Sequence, residues 1–132
     1  MNKLLKKIFL TPFKHIPEKV KEILRAQFPD ALNVEWDTKD GNYEAVFYVN
    51  EIEFIAKILV DKGIIEYKKN LRLDELPPHI TTECLKSGEI MNAIAITKGT
   101  NVFFEVIVRD KKLERSALLL DESGKLLINN LL

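Results

Sequence analysis

The sequence predicts an α+β fold: two tandem helix-plus-four-strand repeats forming an antiparallel sheet with both helices on one face. Three observations predict it. Moved 61 positions along itself without a gap, the chain lays Pro17, Glu22, Leu24, Glu44, Glu53, Ala56, Leu59, Gly63 and Leu71 on Pro78, Glu83, Leu85, Glu105, Glu114, Ala117, Leu120, Gly124 and Leu132. A proline opens a stretch of helical periodicity in each half. The stretches between alternate as strands do and can be paired on paper. The organisation expected is an N-terminal basic arm over residues 1–15, repeat 1 over 16–73 and repeat 2 over 74–132, together one compact domain.

Helix one follows Pro17, which suits a first turn because its missing N–H has no partner there anyway. Val20, Ile23, Leu24 and Phe28 recur at helical spacing until Pro29 stops the run. The second helix starts at Pro78, places Ile80, Cys84 and Leu85 on one side, and stops at Gly88. Leu73-Asp-Glu-Leu-Pro-Pro78 is the joint, since Pro77 and Pro78 cannot continue a central strand.

The strands follow from turn chemistry. With Asn50-Glu51 as a two-residue turn, Phe47 faces Phe54, Ala45 faces Ala56 and Tyr43 faces Ile58 on one side. On the other side Glu44 faces Lys57, Val46 faces Ile55 and Tyr48 faces Glu53, so a charge pair emerges from the register. In the second repeat Lys111-Lys112 as the turn sets Phe104 against Leu119, Val106 against Ala117 and Arg109 against Glu114, leaving Val108 opposite Arg115 as a misfit. Asp61-Lys62-Gly63 and Glu122-Ser123-Gly124 form the next turns, and Ile65, Tyr67, Leu126 and Ile128 are expected on the core face.

Composition narrows the function classes. At 132 residues the chain can bury roughly two thirds of its unfolded surface without disulfide help. Twenty basic and twenty acidic residues give no net field to gather polyanions, so no nucleic-acid partner is expected. Cys84 is alone, which excludes an internal disulfide and a thiolate cluster. Near the N-terminus Lys3, Lys6 and Lys7 surround Leu4, Leu5, Ile8, Phe9 and Leu10, but Thr11-Pro12 halts a three-residue apolar run, so an export signal is not expected as written. That reading makes the chain cytoplasmic as it stands. The stripe is too short for stable membrane insertion.

Several of these residues resemble a known family. Pro17, Phe28-Pro29, Asn33-Val-Glu-Trp36, Gly41-Asn-Tyr-Glu-Ala45, Asp61-Lys-Gly63, Leu76-Pro-Pro and Phe104-Glu-Val106 occur in the order of the PepSY-like proteins. These are small bacterial proteins with a fold similar to the β-lactamase-inhibitor-protein (BLIP) repeat, and the resemblance runs from about residue 16 to 132. It implies a periplasmic or secreted setting and binding or inhibitory roles, with no catalytic residues to carry over. Two positions depart from the pattern: no export signal is present as written, and Thr97 stands where the second repeat would restate Trp36.

A search for catalytic chemistry yields little. His15 and His79 each precede a helix, where a solvated loop role is expected. Cys84 lies five positions after His79, and helical faces that far apart diverge by more than a right angle, so it reads as a core residue matching Ile23. Glu44, Glu53, Glu105 and Glu114 recur on one sheet face, where paired acids would be sought, but three of the four have a plausible cross-strand partner, which favours a salt-bridge role. Asp37-Thr-Lys-Asp-Gly41 lacks the alternating ligands of a calcium loop and reads as a hairpin turn. No cofactor, metal or enzymatic activity is expected.

The sheet face turned away from the helices should read polar, and it does not. Glu44, Val46, Tyr48, Glu53, Ile55, Leu59, Glu105, Ile107, Arg109, Glu114 and Leu118 are the residues placed there, with Leu120 beside them. A patch of that kind marks a contact surface for a protein partner or a homodimer mate. The function expected is a non-catalytic binding module, with inhibition as its possible mode. The alternative is an envelope sensor or carrier holding a small apolar ligand between sheet and arm, with Trp36 either wedged in the core or stacking on that ligand.

Overall fold

The structure, a computed structural model, describes residues 15–39 and 41–132. The N-terminal arm therefore lies outside the described residues except for His15. Two helices, α1 (Glu18–Gln27) and α2 (Pro78–Leu85), accompany eight strands: β1 (Leu32–Lys39), β2 (Asn42–Val49), β3 (Ile52–Leu59), β4 (Gly63–Leu71), β5 (Glu89–Lys98), β6 (Asn101–Arg109), β7 (Arg115–Asp121) and β8 (Leu126–Leu131). The strands form one antiparallel sheet in chain order, so the fold is the α+β arrangement the sequence predicts. Two compact units divide at Ile65 and Glu66.

In the first unit Pro17 is the residue before α1, and its carbonyl accepts from the Val20 and Lys21 N–H groups at 3.0 and 3.3 Å. Val20 and Leu24 carry the buried face of the helix onto Ala45, Phe47, Phe54, Ala56 and Ile58 of β2 and β3. Phe28 closes the end of this core, its ring 5.0 Å from Phe47 and 5.4 Å from Phe54. Burying Phe47 alone contributes on the order of 1.5–3 kcal/mol. All six cross-strand pairs expected over Asn50-Glu51 are present. The two turn residues sit at φ 51° and 67°, the left-handed pair that matches the twist of a tight hairpin.

In the second unit α2 lays Ile80 and Cys84 on Ala93, Phe104, Val106, Val108, Leu118 and Leu120. Leu85, expected beside them, is 56% exposed. The cause is the start of the helix: Pro77, not Pro78, accepts the first helical N–H groups, so α2 is phased one residue away from the 61-residue match. Buried Ile16, Val20 and Leu24 accordingly correspond to Leu76, Ile80 and Cys84, each 60 positions on, and Cys84 matches Leu24 instead of Ile23. Gly88 follows because a Cβ there would stand 2.5 Å from the Arg109 carbonyl oxygen.

The β6–β7 hairpin corrects the expected register. Phe104 faces Leu120, Val106 faces Leu118 and Arg109 faces Arg115, one position off the sequence-based pairing. The Asp110 carboxylate accepts from the Lys112 and Glu114 N–H groups at 2.8 and 3.0 Å, and the Asp110 N–H donates to the Glu114 carbonyl. This closes a three-residue loop ending in Leu113 at φ 66°, one residue longer than the turn expected. One added residue exchanges the faces of the following strand. Leu118 and Leu120, assigned to the open face, are therefore core residues at 1% and 0% exposure, while Ala117 and Leu119 face outward.

Two further assignments shift for the same reason. An extra residue at Leu127 turns Ile128 to the open face opposite Leu119, whereas Leu126, opposite Leu120, stays on the core side although it is 40% exposed. The β5–β6 arms run two pairs further past the matched core position than those of β1–β2, so Ala93, opposite Val106, takes the register of Trp36, opposite Ala45; Thr97 does not. The core positions carry a direct test. Ala56→Leu, at a fully buried site, should destabilise by roughly 1–3 kcal/mol through overpacking, while Ala117→Leu on the outward face should change stability by less than about 0.5 kcal/mol. Urea unfolding of the two variants reads the difference.

Candidate functional site

On the first unit, β1, β2 and β3 turn Glu35, Asp37, Glu44, Val46, Tyr48, Glu53, Ile55, Lys57 and Leu59 away from α1. Asp37 stands directly opposite Glu44, and Glu44 opposite Lys57. The Tyr48 hydroxyl donates to Glu53 Oε2 at 3.1 Å, and this bond to a carboxylate raises the tyrosine above its ordinary value. The resulting surface is acidic, with Val46 and Ile55 between the charges. Glu35 Oε2 is buried with no hydrogen-bond partner among the described residues.

On the second unit the outward face is more apolar. β5 alternates small and large residues, with Ala93 and Ala95 toward α2 and Ile94 and Ile96 away from it. Phe103 faces Ile96 across the strands, Glu105 faces Ile94 and Leu119, and Ile107 faces Ala117. Ile96 is only 7% exposed although it lies on this side, because Lys68 and Phe103 flank it. Of the residues assigned to this face from sequence, Glu105, Ile107 and Arg109 lie on it. Arg109 pairs with Glu89 at 3.2 Å, not with Glu114, which sits exposed in the β6–β7 loop. The missed residues are Ile94, Ile96, Phe103, Leu119 and Ile128; the Ala-Ile-Ala-Ile run of β5 was the readable signal for the first two.

Trp36 is half-buried at the end of a pocket of about 210 Å³ within the first unit. Leu24, Phe28, Pro29, Ala31 and Val34 line it as well, and Lys21 and Arg25 stand one helical turn apart along it. Arg25 also holds Glu18 at 2.6 Å, which lowers the Glu18 carboxyl below its ordinary value. An apolar floor beside two cations suits a small ligand that ends in an anion.

No family model and no curated protein matches the chain. Solved structures do. A DUF2874 family protein from Bacteroides uniformis superposes with a TM-score of 0.79 at 18% identity, covering 89% of this chain and 90% of that one. A BLIP-like protein from Bacteroides fragilis gives 0.78 at 17% identity over 92% and 90%. A DUF2874 family protein from Bacteroides ovatus gives 0.77 at 19% identity over 89% of each chain. The likeness is one of fold, and that fold is BLIP-like.

Two further titratable groups, His79 and Asp121, serve loops. His79 Nε2 lies 2.8 Å from the Glu122 carbonyl oxygen, tying α2 to the β7–β8 turn. Asp121 Oδ1 accepts from the Ser123 hydroxyl at 2.6 Å and from the Ser123 and Lys125 N–H groups, and these bonds hold its carboxyl below the ordinary range. Among the described residues no three His, Cys, Asp or Glu side chains gather as a metal site, and no helix is long and apolar enough to cross a membrane.

Burial pushes the Cys84 thiol from 9.0 up to about 11, with the Glu83 charge adding to the shift. The unfolded thiol therefore loses its proton first as pH rises, so the contribution of Cys84 to stability is intact below pH 9.0 and falls toward pH 11. The stability difference between wild type and Cys84→Ala should narrow across that window in urea titrations. Thiol reagents at pH 8 should label Cys84 only on unfolding.

Proposed function

We propose that the chain is a non-catalytic binding module that docks a protein partner on the open sheet face. The observation that carries this reading is the outward side of the second unit, where Ile94, Phe103, Ile107, Leu119 and Ile128 form an apolar layer on the side opposite α2. Glu105 and the Arg109–Glu89 pair supply its polar surround. On the first unit Glu44, Glu53 and Tyr48 around Val46, Ile55 and Leu59 would favour basic and apolar groups. The PepSY-like resemblance and the BLIP-like fold support binding, with inhibition as its mode. Glu114 and Leu118 drop out of the contact set, one in a loop and the other in the core.

Ile107→Asp should leave the circular dichroism spectrum and unfolding midpoint near wild type, because the site is partly exposed, yet abolish capture of the partner from the native organism. Equal capture by wild type and variant in quantitative affinity mass spectrometry would overturn the open-face reading.

A second reading is favoured by the Trp36 pocket: a carrier or sensor for a small apolar carboxylate seated against Trp36, with Lys21 and Arg25 on its charge. Trp36 is the single tryptophan, so its emission reports occupancy. Titration with 4-phenylbutyrate should give a saturable change, weakened several-fold in Lys21→Gln, and 4-phenylbutylamine should give none. Matching responses to the acid and the amine would remove this reading.

A further inference from the structure

Strand β8 ends the strand order, and all six of its residues are exposed. It reads Leu-Leu-Ile-Asn-Asn-Leu, without a charge or a proline, and Leu127, Ile128 and Leu131 are 43%, 46% and 69% exposed. Strand β1, at the other end of the order, carries Glu35 and Asp37 and a register break after Leu32, features that discourage a further strand from adding. The β8 edge has one such device, the extra residue at Leu127, and the four residues beyond it are in regular register.

Backbone direction on this edge is fixed by one bond. The Leu132 N–H donates to the Arg115 carbonyl at 2.9 Å, so Leu132 and, by strand alternation, Asn130 and Ile128 turn their backbone groups toward β7. Asn129 and Leu131 then turn N–H and C=O outward, where no strand of the described residues meets them. We propose that this edge pairs antiparallel with β8 of a second copy of the chain. The register that avoids the Leu127 irregularity and keeps the two α2-bearing faces on the same side sets Asn129 against Leu131 of the mate, and the reverse. Each such pair exchanges two backbone bonds. Asn130 then faces its own counterpart at a non-hydrogen-bonded position, and Ile128 meets Leu132 of the mate on the open side. A strand without charges meets its copy with no like-charge opposition. This pairing does not rest on the open-face reading.

The experiment uses the whole chain. Sedimentation at up to about 100 μM should show a dimer, twice 15.2 kDa. Leu131→Lys should return it to a monomer that still unfolds cooperatively, with the midpoint the wild type shows when diluted to monomer, while Ile107→Asp should leave the dimer in place. In a Cys84→Ala background, Asn130→Cys should cross-link to its counterpart on mild oxidation, because opposed non-hydrogen-bonded residues lie about 4.5 Å apart at Cα, within disulfide reach. Asn129→Cys should not. A monomer at every concentration, a dimer that survives Leu131→Lys, a dimer lost in Ile107→Asp, or cross-linking at 129 in place of 130 would each overturn the β8 pairing.

Discussion

Hairpin loop parity is the constraint on which the side-chain layout of this protein depends. In an antiparallel sheet each residue points to one side or the other, and a loop that gains one residue reverses the strand that follows. Asn50-Glu51, with both residues at positive φ, holds the first hairpin in the register that places Phe54, Ala56 and Ile58 beneath α1. The Asp110 carboxylate holds the equivalent loop of the second unit one residue longer, and that places Leu118 and Leu120 beneath α2. Both units bury large apolar residues on the strand after this loop, although the aligned sequence would give the second unit Arg115, Ala117 and Leu119 there. A carboxylate in a turn thus determines which leucines form a core.

The same constraint separates what the sequence reveals from what it conceals. Helix positions, strand order and the β2–β3 pairs are legible because proline, glycine and alternation mark them locally. The 61-residue match covers several local offsets: 60 from Leu24 to Cys84, 57 from Trp36 to Ala93, 61 from Ala45 to Val106 and 62 from Ala56 to Leu118. Ungapped comparison hides those steps, since they arise from changes of one residue at the helix start and the β6–β7 loop and of four residues in the β5–β6 hairpin. The positions of Leu85, Leu118 and Leu120 follow from those steps, and that of Ile128 from the extra residue at Leu127. A contact face assigned by parity inherits each such slip, so Glu44 to Leu59 hold their places on the first unit while Glu114 and Leu118 lose theirs on the second.

The distribution of polar groups bears on what such a fold can do. Among the described residues no polar or charged residue is buried as a whole, although the Glu35 Oε2 atom is, and the hydrogen bonds of Asp110, Asp121, His79 and Arg72 hold turns and helix ends. A catalytic centre relies on polar groups preorganised in a water-poor site. Here the polar groups secure the loops, and the unabsorbed chemistry is apolar surface on β5 to β8. Helices can cover one side of a sheet; on the other, large residues such as Ile94 and Phe103 lie where polar ones would suffice for solubility. Apolar area kept outside a core gains its free energy by leaving water in contact with another molecule, and that gain is what the proposed association would draw on.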